Sequence, residues 1–158
     1  MTDPRPDAMR ALTVRQPFAW AIAHRGKRVE NRSRRFHYKG PLAIHAGSMF
    51  GKSERDAIPF VADRSRVPYV TVGEGSRVRG VIVAVARIDG LCSTSRQSSE
   101  IVCECGPWAQ PGHHHLILTD VRPLDKPVPC KGMLGLWRLP EDVEAAVMAQ
   151  LGEAASRD

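Results

Sequence analysis

Glu30 stands among basic residues in Gly26-Lys27-Arg28-Val29-Glu30-Asn31-Arg32, a segment opened by a glycine turn. A carboxylate flanked by ammonium and guanidinium groups either anchors an ion-pair cluster or accepts hydrogen bonds on the floor of a polar cleft. If this segment is a strand, alternation puts Arg28, Glu30 and Arg32 on one face and Val29 and Asn31 on the other. Lys27 then faces away from Glu30 unless the Gly26 turn redirects it. Upstream, Arg15-Gln16-Pro17-Phe18-Ala19-Trp20 reads as a strand entering a helix, with Pro17 suited to the first helical turn. A helix start offers unpaired N–H groups and partial positive charge to an anion such as phosphate, which favours the cleft. Gln16 sits at that junction with an amide that both donates and accepts, as a base reader or as a cap.

Other residue groupings invite chemistry. Cys103-x-Cys105 precedes His113-x-His115, and alternation would put the two histidines on one side of a strand. The spacing is tighter than the usual Cys-x2–4-Cys zinc knuckle, and no second cysteine pair lies at standard distance. The expectation is therefore no bound metal and no cofactor, with Cys92, Cys103, Cys105 and Cys130 as thiols. A divalent ion would enter only with a ribonuclease activity, and no clustered carboxylates stand ready to hold magnesium. Trp108 lies in a Pro/Gly-rich loop, where it either stacks on a base or covers the end of the fold. His45 falls on an apolar strand, as a hydrogen-bonded core residue or a cleft group close to Gly47.

The charge balance points to a partner. The chain has 158 residues, 23 Lys+Arg against 17 Asp+Glu, a formal charge of +6 and a pI near 9.5. Such an excess suits a polyanion, most simply nucleic acid. It is concentrated in Arg25, Lys27, Arg28, Arg32, Arg34, Arg35 and Lys39, with His37 and Tyr38 interleaved. A hydrophobic fraction of 42% and a charged fraction of 25% are ordinary for a globular protein. There is neither a membrane-length apolar run nor a secretory signal, so the expected location is cytoplasmic, with no membrane partner.

These groups need a scaffold. The pattern predicts one domain over residues 11–152, between a flexible leader at 1–10 and a flexible tail at 153–158. Strands are expected at Ala11–Arg15, Val29–Arg32, Leu42–Ala46, Gly80–Ile88, His113–Val121 and Leu134–Leu139. A helix is expected over Pro17–His24, ended by Gly26. A second starts at Lys52, with Pro59 interrupting it, and a last one follows Pro140. Residues 63–77 and 92–112 read as connections, and Pro127–Gly132 as a turn. The fold class is α+β: a small, partly open β-barrel of five to six strands with short flanking helices.

The same residues resemble the ASCH domain, a branch of the PUA-like β-barrel superfamily. The matching elements are Leu12-Thr13-Val14-Arg15-Gln16-Pro17 with Trp20, Gly26-Lys27-x-x-Glu30-x-Arg32, Ile44-His45-Ala46-Gly47, Trp108-Ala109-Gln110-Pro111-Gly112 and Gly135-Leu136-Trp137. They cover the chain from about Leu12 to Leu139. The resemblance implies a cleft beside the first helix that holds RNA or a modified nucleotide, single-stranded or loop RNA being favoured. Arg15, Gln16, Lys27, Glu30, Arg32, Arg34, Arg35, His45 and Trp108 are the residues expected to bind it. Some relatives of that kind are amidohydrolases acting on N4-acetylcytidine, and at least one is a metal-dependent ribonuclease. In the amidohydrolase branch a threonine nucleophile follows the lysine by three positions. Here Lys27 is kept and Glu30 takes the threonine's place. A carboxylate can act as a general base but is not that nucleophile. The alternative is thus a hydrolase on RNA or a nucleoside, with Lys27 and Glu30 catalytic. A protein-interaction module for an acidic partner is the third reading.

Overall fold

Strand periodicity builds most of this molecule. The structure, a computed structural model, describes residues 9–92 and 103–155. Among the described residues there are six strands: β1 (Arg10–Val14), β2 (Val29–Arg32), β3 (Gly40–Ala46), β4 (Val81–Leu91), β5 (His114–Pro129) and β6 (Leu136–Arg138). They form one mixed sheet in the order β2-β5-β4-β3-β1-β6, in which only β1 and β3 run parallel. The helices are α1 (Phe18–His24), α2 (Lys52–Asp56), α3 (Ile58–Ser65), α4 (Tyr69–Gly75) and α5 (Glu141–Ala155).

The sheet curls. Leu12 and Val14 of β1 share one buried cluster with Leu116 and Leu118 of β5, although β3 and β4 lie between those strands. Ile44, Ala84 and Ile88 belong to the same cluster, and α1 plugs it with Ala19 and Ile22. Register shifts at Ile44/His45 and at three points between β4 and β5 supply the bending, as bulges do. Alternate residues (Ala11, Ala43, Ile82, Val85 and Trp137) face a second cluster closed by Val143 and Val147 of α5. Burying a side chain such as Val147 contributes about 1.5–3 kcal/mol, which is what docks α5. A third cluster joins α1, α3 and α4 to Trp108. A curled six-stranded α+β sheet is the expected class.

Local departures have physical causes. Pro59 falls in the first turn of α3, so the interruption is a break between α2 and α3. α4 occupies part of the expected connection at 63–77; its segment Tyr69-Val-Thr-Val-Gly-Glu-Gly lacks a helical apolar stripe. β5 runs through Pro123 and Pro127 where a turn at Pro127–Gly132 was expected. Beyond Ile117 it pairs with β4 alone, so it is an edge there and tolerates proline. Of the expected leader, Met9 is buried and Arg10 is in β1, while residues 1–8 lie outside the described residues. Of the expected tail, residues 153–155 belong to α5 and residues 156–158 lie outside the described ones. Residues 93–102 of the expected long loop are also outside them. No helix among the described residues is long and apolar enough to cross a membrane.

Candidate functional site

A cleft of about 1070 Å³ opens where β1 and β3 end, floored by β2 and bounded by the turn at residues 130–135. Gly26, at φ +69°, ends the α1 region and turns the chain so that Lys27 points under the cleft rather than away from it. β2 begins only at Val29, so strand alternation does not govern Lys27. Its Nζ donates to the Val29 carbonyl and to Glu30 Oε2 at 2.7 Å, and lies 5.6 Å from the centre of the Phe18 ring. The lysine is 1% exposed, an unusual position for an ammonium group and tolerable only with such partners. Arg28, expected on the Glu30 face, instead turns back and donates to the Ile22 carbonyl in the last turn of α1.

Glu30 is buried and shared. Its Oε1 pairs with Arg32 at 3.1 Å while Oε2 takes Lys27. Burial pushes its carboxyl up, but Lys27 and then Arg32 outweigh that effect, so it titrates below the ordinary range and stays ionised at neutral pH. Arg32 also donates to the Thr13 carbonyl at 2.7 Å, while its Nε is buried without a partner. Two formal positive charges thus surround one negative charge beneath the cleft.

The far end of the cleft is built around His45. Its Nε2 donates to the Cys130 carbonyl at 2.7 Å, which fixes the tautomer and leaves Nδ1 as an acceptor. Nδ1 is buried and unpartnered. Burial pushes His45 below its usual 6.5, against the opposing effect of that carbonyl. Gly132 packs closely here: a Cβ would lie 2.6 Å from His45 Cε1 and 2.8 Å from Thr13 Oγ1, so a larger residue would have to displace them. Met49, Met133 and Leu134 border the opening with exposed apolar surface.

Lys27, Glu30, Arg32 and His45 therefore converge, and Arg15 joins them at the rim, where it faces Glu54 at 3.5 Å. Arg34 and Arg35 are exposed on the loop that leaves the cleft at Ser33. Gln16 lies elsewhere, beside a smaller cleft of about 170 Å³. Both ends of its amide are engaged, by the Trp20 N–H at 2.9 Å and the Val78 carbonyl at 2.7 Å. This corrects the expectation of an anion site at the start of α1. Phe18 and Ala19 donate to the Arg15 carbonyl and Trp20 to Gln16, so the first-turn donors are used within the chain. Trp108 is likewise not at the cleft: it is buried edge-on to Phe60, with ring centres 6.2 Å apart, and serves as a cover.

Several participants were not anticipated. Thr13 and Gly132 meet only through the fold. Asn31 was assigned to the face opposite Glu30, yet it lines the cleft and clamps the wall loop. Its Nδ2 donates to the Trp108 carbonyl and its Oδ1 accepts from the Gln110 N–H, each at 2.9 Å. Behind that wall, Cys92, Cys103, Cys105 and His115 bring their ligand atoms within 4.8 Å of one another. His113, the second histidine of the sequence motif, is not among them. Burial and the neighbouring thiols of Cys92 and Cys103 push the Cys105 thiol up to about 12. No protein-family model matches the chain, and no curated protein matches it.

Proposed function

We propose that the cleft binds one nucleotide unit of RNA, as an ASCH-like member of the PUA-like barrels would. One observation carries this reading: the buried Lys27–Glu30–Arg32 array. Glu30 is fixed as an acceptor, the state that recognises an exocyclic base amine. The array carries one positive charge more than it neutralises internally, which favours a phosphate or a carbonyl oxygen beside the base. The cleft exceeds the size range of drug-sized ligand sites, with room for a nucleotide. Met49, Met133 and Leu134 supply apolar contact for a base face, and Arg34 and Arg35 meet neighbouring phosphates. The test is pull-down from total RNA with sequencing of the bound species, followed by titration of the recovered sequence. Enrichment of a defined single-stranded or loop RNA supports the reading. Equal retention of any polyanion, acidic protein included, overturns it.

Hydrolysis of RNA or a modified nucleoside is the second reading, and His45 favours it: a neutral imidazole whose buried Nδ1 has no hydrogen-bond partner has the form of a general base. Glu30 suits that part poorly, because Lys27 and Arg32 hold its carboxyl below the ordinary range and make it a weak base. Lys27 would then stabilise developing negative charge. Single-turnover assays with N4-acetylcytidine and with labelled RNA, with and without manganese, separate the two readings. Turnover abolished by His45→Gln would replace binding with catalysis.

A further inference from the structure

Cys92, the residue after β4, has its main-chain N–H on the His115 carbonyl at 3.0 Å, which brings the end of one strand against the start of the next. Cys103 and Cys105 come from the segment leading to the cleft wall. The sequence separates these residues by ten, one and nine positions, a spacing that conceals the set. The fold assembles it.

We propose that Cys92, Cys103, Cys105 and His115 form a structural zinc site that fastens the cleft wall. Three thiolates and an imidazole are a standard closed donor set for this ion, with Zn–S about 2.3 Å and Zn–N about 2.0–2.1 Å. A tetrahedron of those bond lengths puts its ligand atoms roughly 3.5–3.8 Å apart. Here Cys103 Sγ lies 3.3 Å from His115 Nδ1 and all four ligand atoms fall within 4.8 Å, so small adjustments of these side chains complete the shell. An iron–sulfur cluster would need its ligands spread more widely.

His115 is already oriented for the ion. Its Nε2 donates to the Gln110 carbonyl at 2.7 Å, which leaves the Nδ1 lone pair directed at the sulfurs. A hydrogen bond from the far ring nitrogen to a carbonyl is how metal-binding histidines are commonly held. No disulfide competes for the thiols. The set fills every tetrahedral position, so the ion would be structural rather than catalytic. It departs from the metal-free expectation because the sequence pairing omitted Cys92 and included His113. Gln110 joins the two sites: its carbonyl orients His115, its N–H is clamped by Asn31, and it lines the cleft.

Elemental analysis of the full-length protein, purified under reducing conditions without chelator, should give one equivalent of zinc. Cobalt replacing it should show thiolate charge transfer in the near ultraviolet and the intense visible bands of a tetrahedral ion. Cys92→Ser, Cys103→Ser, Cys105→Ser and His115→Ala should each bind metal at least tenfold more weakly, while Cys130→Ser and His113→Ala keep the full equivalent. The cobalt spectrum of the wild type decides the matter even if a variant fails to fold. Zinc below a tenth of an equivalent with a featureless cobalt titration overturns the proposal. So does iron in place of zinc, or a full zinc equivalent retained by Cys92→Ser.

Discussion

Arg32 on β2 donates to the main-chain carbonyl of Thr13 on β1 at 2.7 Å, although three strands lie between them in the sheet. The bond closes the curl with a side chain where no backbone ladder does so, and it ties that closure to Glu30. Arg32→Ala should therefore lower stability by about 1.5–3 kcal/mol, the scale of a hydrogen bond to a charged group. Arg32→Lys should recover only part of this, since both partners are met by the terminal Nη2, which the shorter lysine side chain does not reach in the same geometry. Urea denaturation of the three proteins measures the difference; equal midpoints would show that the edges close without Arg32.

Breaking the ion cluster one residue at a time should cost more than removing it. Glu30→Gln leaves Lys27 buried beside an uncharged partner and should destabilise by about 3–5 kcal/mol. Adding Lys27→Met should restore much of that loss, because a buried pair replaced by apolar groups is often close to neutral. Ligand affinity should not return with stability. A double variant that folds well and binds RNA like the wild type would remove the array from recognition.

Acid should expose the same group. The folded carboxyl of Glu30 titrates below its ordinary 4.5, so its stabilisation is present above that pH and is lost as pH falls through the folded value. His45 has a depressed folded value too, but as a base: the unfolded chain takes up the proton first, so stability declines as pH drops below 6.5. Chemical denaturation between neutrality and pH 3 should show a decline starting near 6.5 that His45→Gln reduces. A second decline below 4.5 should be reduced by Glu30→Gln. An unchanged profile in either variant would mean that the group does not titrate differently on folding.

RNA affinity should fall with salt. Arg34 and Arg35 are exposed, so replacing both with alanine should change stability by no more than about 0.5 kcal/mol per site. The slope of log affinity against log salt should shrink by about 0.7 for each phosphate of a single strand that the variant no longer neutralises. Fluorescence anisotropy across a salt series reads both affinity and slope, and an unaltered slope would place the phosphates elsewhere.

Gly132→Ala should block the His45 end of the cleft. The new methyl would meet a ring and a hydroxyl held on two paired strands, not the far end of a flexible chain. A cost of about 1–3 kcal/mol in stability is expected from such overpacking. Calorimetric titration at a temperature where the variant is folded should show ligand affinity reduced at least tenfold. Full affinity would put the ligand away from Gly132.

Strand residues were the legible part of this chain. The limits of β2 follow from its alternation with little error, and the apolar runs of β3 and β4 announce themselves. The site was legible only where it is local: Lys27, Glu30 and Arg32 share one segment. Gln16 was misplaced because a helix start looks alike in sequence whether its donors are open or already satisfied. Alternation placed Asn31 with Val29 on the face toward Trp108, as found, but could not show that the wall loop folds over that edge and brings the amide to the cleft. Thr13, Gly132 and Cys92 carry no signal of their own, since each acquires its neighbours only when segments distant in sequence meet in the fold.

The charge cluster beneath the cleft also limits how this surface can change by inheritance. A neutral residue at position 30 is incompatible with Lys27 and Arg32 as they now lie, and a neutral residue at position 27 leaves Glu30 leaning on Arg32 alone. Each position therefore sets which substitutions the others accept. Variation here should arrive as matched changes or not at all.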